Sequence, residues 1–268
     1  QDAPDSQPEA IGGYLPLSKV YSFNPVPDTL SAEKVGLVYG VQANLFTEYI
    51  PTPEHAEMMI YPRVLALAEV AWSAPSKKNY ENFHVRALKA VEELKKSGYN
   101  PFELKNEIGN RPGADKPVEH LAVGKKVTYG LDAAYYPGYA AGGDTALVDG
   151  VRGGWTYGDK RWQGFIGKKR MDITIDLEKE TELHFIGADF MQVCGPEVFM
   201  PAEVIISISD DGKDFTELKH IEHKVVKDDK VTFTNFGWEG NAKGRYVRYQ
   251  ATSGEFGGFL FTDEVVIK

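Results

Sequence analysis

Apolar residues keep two different periods along this chain. From Asn79 to Ser97, Tyr80, Phe83, Ala87, Val91 and Leu94 fall three or four apart with Lys and Glu between them, which predicts an amphipathic helix stopped by Gly98. Before it, "YPRVLALAEVAWS" (61–73) is nearly all apolar. Pro62 lacks an N–H and suits a first turn, so a fresh buried helix is expected through Trp72. Arg63 and Glu69 inside it need mates: carbonyls or a carboxylate for Arg63, an acceptor role in the same neighbourhood for Glu69. "VGLVYGVQANLF" (35–46) is a short run rich in Val and aromatics, which predicts a strand covered on both faces, as in parallel sheets. Residues 1–35, with Pro, Gly and Ser around Tyr14, Leu15, Val20, Tyr21 and Phe23, read as ordered loop plus short helix.

Beyond Pro117 the period becomes two. "RMDITIDL" turns Met171, Ile173, Ile175 and Leu177 to one side, and "AEVIISISDDGKDFTEL" repeats the pattern around an Asp211-Gly212 turn, with Phe215 returning to the core. Further strands are expected at "HFIGADF", "VTFTNF", "RYVRYQAT" and "DEVVIK". Many short strands separated by turns indicate an antiparallel β-sandwich or jelly roll. "NEIGNRPGADKP" (106–117) has no period and several breakers, so the domain cut is placed near Gly113: 1–113 mostly helical, 114–268 a β-sandwich.

Composition narrows the chemistry. A length of 268 residues suits two domains, and 42% hydrophobic with 26% charged content is that of a globular protein without a membrane-spanning run. The formal charge of −9 argues against nucleic acid and leaves neutral or cationic ligands, sugars among them. The single Cys194 excludes an internal disulfide framework and a Cys-rich zinc site, and is expected to be a buried thiol. His220 and His223, three apart in a strand, should face opposite sides and hold no metal; His55 and His84 are expected singly on helical surfaces. The opening "QDAPDSQPEA" has no leader pattern and no initiator Met, so the chain reads as a processed product or a fragment.

"GVQANLFTE" followed by "YPRVLALAEVAWS", with "GGYLPLSKVYSFNPVP" before them, resembles the end of the catalytic barrel of glycoside hydrolase family 20, the exo-β-N-acetylhexosaminidases and chitobiases. The resemblance covers roughly the first third of the chain and implies the C-terminal segment of a (β/α)8 barrel. In that family the eighth strand ends in Trp-x-Glu, whose Glu bonds hydroxyls of the terminal sugar while the Trp walls the pocket. Glu48 matches the Glu; Phe46 stands at the Trp position, keeping an apolar wall without the indole N–H. The implied reaction is substrate-assisted: the 2-acetamido oxygen attacks the anomeric carbon, an Asp orients that group and the adjacent Glu protonates the leaving oxygen. Both carboxylates belong to an earlier strand of the barrel, so no catalytic residue is assigned in this chain. Asp263-Glu264 is a doublet of the right composition in the wrong context, because neighbours in a strand point to opposite faces.

From Val118 to Lys268 the order "HLAVGKKVTYG", "ALVDGVRGG", "RWQGF", "MDITIDL", "ISISDDGKDF", "RYVRYQAT", "TDEVVI" resembles discoidin-like domains, also called coagulation-factor type C domains, which include carbohydrate-binding modules of family 32. Many such modules hold a structural Ca²⁺, which would fall to Asp149 and Glu264 here, with backbone carbonyls completing the shell. Trp155, Tyr157, Phe199 and Phe256 lie beside Gly-rich turns and are the candidates for stacking on a pyranose, whereas Trp162 matches a structural Trp.

These resemblances imply the C-terminal part of an exo-β-N-acetylhexosaminidase acting on glycans that contain N-acetylhexosamine. No cofactor is needed beyond a structural calcium, and the partner is the rest of the barrel. The setting is extracytoplasmic (periplasmic, cell-surface or secreted), with the export signal outside the residues shown. Two alternatives stay open: a non-catalytic lectin-like module, and a purely structural appendage.

Overall fold

The computed structural model describes residues 14–131, 134–166, 170–228 and 230–268. The expected loop over the first 13 residues lies outside them. The chain forms two compact units, one ending at Gly109 and a second from Asn110 to Lys268.

The first unit is helical: α1 (Leu17–Tyr21), α2 (Ala32–Val35), α3 (Pro53–Ile60), α4 (Arg63–Trp72) and α5 (Tyr80–Lys96). The expected amphipathic helix is α5. Asn79 caps it by accepting from the Asn82 N–H at 2.9 Å, and Gly98 follows its end at φ +86°. Phe83, Ala87 and Val91 of α5 pack with Leu17, Tyr21, Ala66, Phe102 and Leu104 in the unit's core. Helix α4 departs from expectation, since only Arg63, Ala66 and Val70 are buried and Trp72 is 91% exposed. Arg63 donates to the carbonyls of Leu15 (2.9 Å) and Met59 (2.8 Å), as its burial requires. Glu69 serves other donors, the Tyr21 hydroxyl at 3.0 Å and Arg86 Nη2 at 2.8 Å. His55 is buried rather than on the surface.

The strand expected over Val35–Phe46 does not form. Val35 ends α2, and the backbone from Val38 to Thr47 belongs to no helix or strand, with Tyr39 92% and Phe46 69% exposed. The physical reason is that a strand exists only through pairing. An apolar run suited to cover on both faces gains nothing from extension unless neighbours meet its edges, and the described residues of this unit supply none.

The second unit is a seven-stranded antiparallel sheet in the order β2-β7-β3-β6-β4-β5, with β1 also on β3. The strands are β1 (Lys126–Tyr129), β2 (Gln163–Ile166), β3 (Met171–Gln192), β4 (Pro201–Ser209), β5 (Thr216–Glu222), β6 (Thr232–Ser253) and β7 (Phe259–Ile267). Two pairs of expected short strands are each one long strand. "RMDITIDL" and "HFIGADF" are both in β3, and "VTFTNF" and "RYVRYQAT" are both in β6. A register shift between Asp176 and Thr181, where Glu178 sits at φ +72°, bends β3 without ending it. The first part of β3 therefore pairs with β1 and the last part with β7, while the end of β6 takes up β4.

The alternation in β3 is realised: Met171, Ile173, Ile175 and Leu177 all enter the main core beside Val204, Ile206, Val247, Tyr249 and Val265. Each such side chain stabilises by roughly 1.5–3 kcal/mol on burial. Phe215 is not in that core; it is half-buried, with the Arg248 guanidinium 5.5 Å from its ring centre. Cys194 is partly exposed, because it lies on a turn after β3 rather than in the sheet.

Candidate functional site

The candidate site residues are dispersed over the two units. Glu48 begins the turn after the unpaired segment and is exposed. Among the described residues its carboxylate has no hydrogen-bond or ion-pair partner. Phe46, two residues earlier, is equally open. The pair thus presents an aromatic face and a free carboxylate from one short stretch of backbone.

Asp263 and Glu264 are both wholly buried in β7, and they behave oppositely to Glu48. Asp263 accepts from Arg111 Nη1 at 2.9 Å, Arg152 Nη1 at 3.1 Å and the Gly153 N–H at 3.0 Å. Arg111 also bonds Asp189 and lies 5.0 Å and 4.5 Å from the ring centres of Trp162 and Phe233. Burial pushes the Asp263 carboxyl upward, opposed by the Arg152 and Arg111 charges. Glu264 faces a different set: its Oε1 lies 2.7 Å from His120 Nε2 and accepts from the Gly150 N–H at 3.0 Å. The neighbours in sequence are therefore parted across the strand, and Asp263 is locked in ion pairs. They form no acid/base pair.

The second oxygen of Glu264, Oε2, is buried and has no hydrogen-bond partner among the described residues. Burial raises this carboxyl too, with the Asp149 charge adding to the rise against the His120 and Gly150 hydrogen bonds. Asp149 is exposed, and its Oδ1 accepts from the Val151 N–H at 2.8 Å. No group of three or more His, Cys, Asp or Glu converges among the described residues, so further ligands to a cation here would be carbonyl oxygens. An orphan buried carboxylate oxygen beside a second carboxylate fits a hard cation in donor chemistry.

The four aromatic candidates separate into three environments. Trp155 meets the Phe233 ring at 5.7 Å. Tyr157 stacks on Phe261 at 4.7 Å and meets Tyr139 edge-on at 5.8 Å, and burial raises its hydroxyl. Phe199 and Phe256 pair at 5.4 Å, Phe199 buried and Phe256 half-exposed. Phe256 rides on a turn closed by the Gly257 N–H to the Gly254 carbonyl at 3.1 Å. Gly258, at φ +69°, is required there because a Cβ would stand 2.1 Å from the Glu197 carbonyl oxygen. Trp162 is structural as expected: its Nε1–H donates to the Gly154 carbonyl at 3.1 Å in a buried setting.

Sequence reasoning missed Lys227, whose ammonium lies 4.3 Å from the Phe256 ring centre and 5.4 Å from that of Phe199. No local signal marks it, since the three residues come from separate loops. It also missed Arg111 and His120, whose carboxylate partners Asp263 and Glu264 are each more than 140 residues away.

Comparison with known proteins gives two matches in order. Residues 1–75 match the model described as "Glycosyl hydrolase family 20, catalytic domain", and residues 132–265 match "F5/8 type C domain". A beta-hexosaminidase of Porphyromonas gingivalis (strain ATCC BAA-308 / W83) is 44% identical over 100 residues, which are 37% of this chain and 13% of that protein. One of Akkermansia muciniphila is 29% identical over 114 residues, 41% of this chain and 22% of that protein. The chain thus matches less than a quarter of the length of these curated relatives. Among solved structures, a Streptococcus pneumoniae fucose binding module is 19% identical with a TM-score of 0.41, covering 56% of this chain and 98% of that one. A Clostridium perfringens module in complex with GalNAc-β-1,3-galactose is 18% identical with a TM-score of 0.36, covering 53% and 93%.

Proposed function

For a chain that belongs to the F5/8 type C domain family over residues 132–265 and carries a stretch of the glycosyl hydrolase family 20 catalytic domain over residues 1–75, we propose a role in recognising sugar within an exo-β-N-acetylhexosaminidase. The helical unit contributes Glu48 and Phe46 to the pocket for the terminal sugar, and the β unit binds glycan through its aromatic loops. The reaction is substrate-assisted hydrolysis of terminal N-acetylhexosamine, with the catalytic Asp-Glu pair outside these 268 residues. The protein works in the periplasm, at the cell surface or after secretion, where such glycans are met; among the described residues no helix is long and apolar enough to cross a membrane.

The observation that carries this reading is the contrast between carboxylates. The one Asp-Glu doublet is sealed in a strand, whereas Glu48 is open and uncommitted beside an exposed ring. An uncommitted carboxylate next to an apolar face suits hydroxyl recognition, and Asp263, already holding two guanidiniums, does not suit proton transfer.

Asp149, the free Oε2 of Glu264 and nearby carbonyl oxygens would hold a calcium ion in the β unit. Such an ion would supply charge neutralisation for Glu264 and fix the loop around Gly150; it has no part in bond cleavage.

The test uses the 268-residue chain with a nitrophenyl β-N-acetylglucosaminide, alongside calorimetric titration with N-acetylhexosamine-containing glycans. No nitrophenol release together with measurable glycan binding is the expected result. Turnover by the chain itself would overturn the placement of the catalytic pair, and absence of binding to any glycan would overturn the recognition role of the β unit.

A further inference from the structure

Three loops of the β unit meet at Lys227, and their meeting is built rather than incidental. Gln192, buried at the end of β3, donates from Nε2 to the Val226 carbonyl at 2.9 Å and accepts the Met200 N–H at 3.3 Å. This holds the backbone next to Lys227 against the start of β4. The Phe199 N–H donates to the Phe259 carbonyl at 3.0 Å, and the Phe259 N–H to the Glu197 carbonyl at 2.8 Å, tying the Phe199 loop to the Phe256 loop. The result fixes an exposed lysine whose ammonium covers the half-exposed Phe256 ring.

That ammonium has no ion-pair partner among the described residues, although Glu197 and Glu255 sit on the two adjoining loops. An exposed cation over a benzene ring is weakly held, so an arriving group with a better charge can draw it away. A neutral sugar stacking on Phe256 must displace the ammonium and gives it no counter-charge in return. A sugar bearing an anionic group can lay its apolar face on the uncovered ring and pair its charge with the displaced ammonium. The chain's net charge of −9 opposes anions at long range, which leaves the discrimination to this contact.

From this geometry, and resting on the glycan-recognition reading above, we propose that the Phe199, Phe256 and Lys227 site takes an acidic sugar, one carrying a carboxylate or a sulfate ester, with Lys227 as its charge partner and Phe256 as its stacking face.

The experiment titrates the full chain with N-acetylglucosamine, N-acetylglucosamine 6-sulfate and methyl glucuronide, at low and high salt, following affinity by calorimetry. At least one acidic sugar should bind roughly tenfold more tightly than the neutral one at low salt, with the advantage shrinking as salt rises. Preference for the glucuronide assigns the carboxylate, preference for the sulfated sugar assigns the ester, and both together assign an anion of either kind. Lys227→Gln should erase the preference while leaving the unfolding transition in place, since the side chain is exposed; Phe256→Ala should weaken all three sugars. Equal affinity for neutral and acidic sugars, or a preference that survives Lys227→Gln, overturns the proposal and leaves the glycan reading standing. Failure of every sugar to bind overturns both.

Discussion

Arg111 and Asp263 meet at 2.9 Å across 152 residues of sequence, in a contact where the arginine side chain is 7% exposed and the aspartate fully buried. The bond joins the first residues of the β unit to its last strand, so the ends of this unit are clamped by one ion pair inside an aromatic cage of Trp162 and Phe233.

Removing one partner leaves the other charge stranded. Arg111→Met should destabilise the β unit by about 3 kcal/mol, the lower end for a broken buried pair because Arg152 still faces Asp263. Urea unfolding measures it. Arg111→Met combined with Asp263→Leu should recover part of the loss, and a double variant no better than the single would contradict the ion-pair account.

Gly153 permits the position of Trp162. A Cβ there would lie 2.1 Å from the indole, so Gly153→Ala must push the ring off its seat. A loss of about 1–3 kcal/mol and a red shift of tryptophan fluorescence are expected; unchanged emission would mean that the loop, not the ring, gives way.

Glu264 makes a pH-dependent contribution of definite sign. Burial holds its carboxyl above the ordinary value, so the folded chain keeps a proton that the unfolded chain has already released. Its contribution is fully present below the unfolded carboxylate value and is lost as pH rises through the folded one. In EDTA, Glu264→Gln should therefore gain on the wild type in Tm as pH is raised from about 4 to about 7. A difference in Tm that stays constant with pH would sink this assignment.

Calcium reverses that cost if it is held by Glu264 Oε2 and Asp149. Calcium at about a hundred times its Kd should stabilise the wild type by roughly 2.7 kcal/mol, and Glu264→Gln far less. Thermal unfolding with calcium, magnesium and EDTA distinguishes a specific site from general ionic strength; equal responses of both proteins would remove the ion from this place.

Glu48 is open, so its replacement should be silent in stability and loud in recognition. Glu48→Ala should change unfolding of this chain by less than about 0.5 kcal/mol. On the proposed reading, the same change in a hydrolase that contains this chain should raise KM, the signature of a lost sugar contact. A large stability loss in the chain itself would show that the carboxylate is structural.

Local rules carried much of the architecture. Helix α5 follows from spacing, an Asn cap and a Gly stop, all interactions within a few residues, and the inward row of β3 follows from strict alternation. Phe256 and Glu48 could be nominated as candidates from sequence because each sits beside a recognisable local pattern. Tertiary structure decided everything that depends on a distant partner. The run from Val38 to Phe46 has the composition of a strand yet forms none among the described residues, because pairing is not a property of the run itself. Asp263 and Glu264 are adjacent in sequence, but strand geometry and the arrival of Arg111, Arg152 and His120 from elsewhere gave them separate structural duties. Lys227 was silent for the same reason: its ammonium gains two aromatic neighbours only where the fold sets Phe199 and Phe256 beneath it. Sequence determines which side chains can stack, pair or turn, and packing determines which of them still have something left to bind.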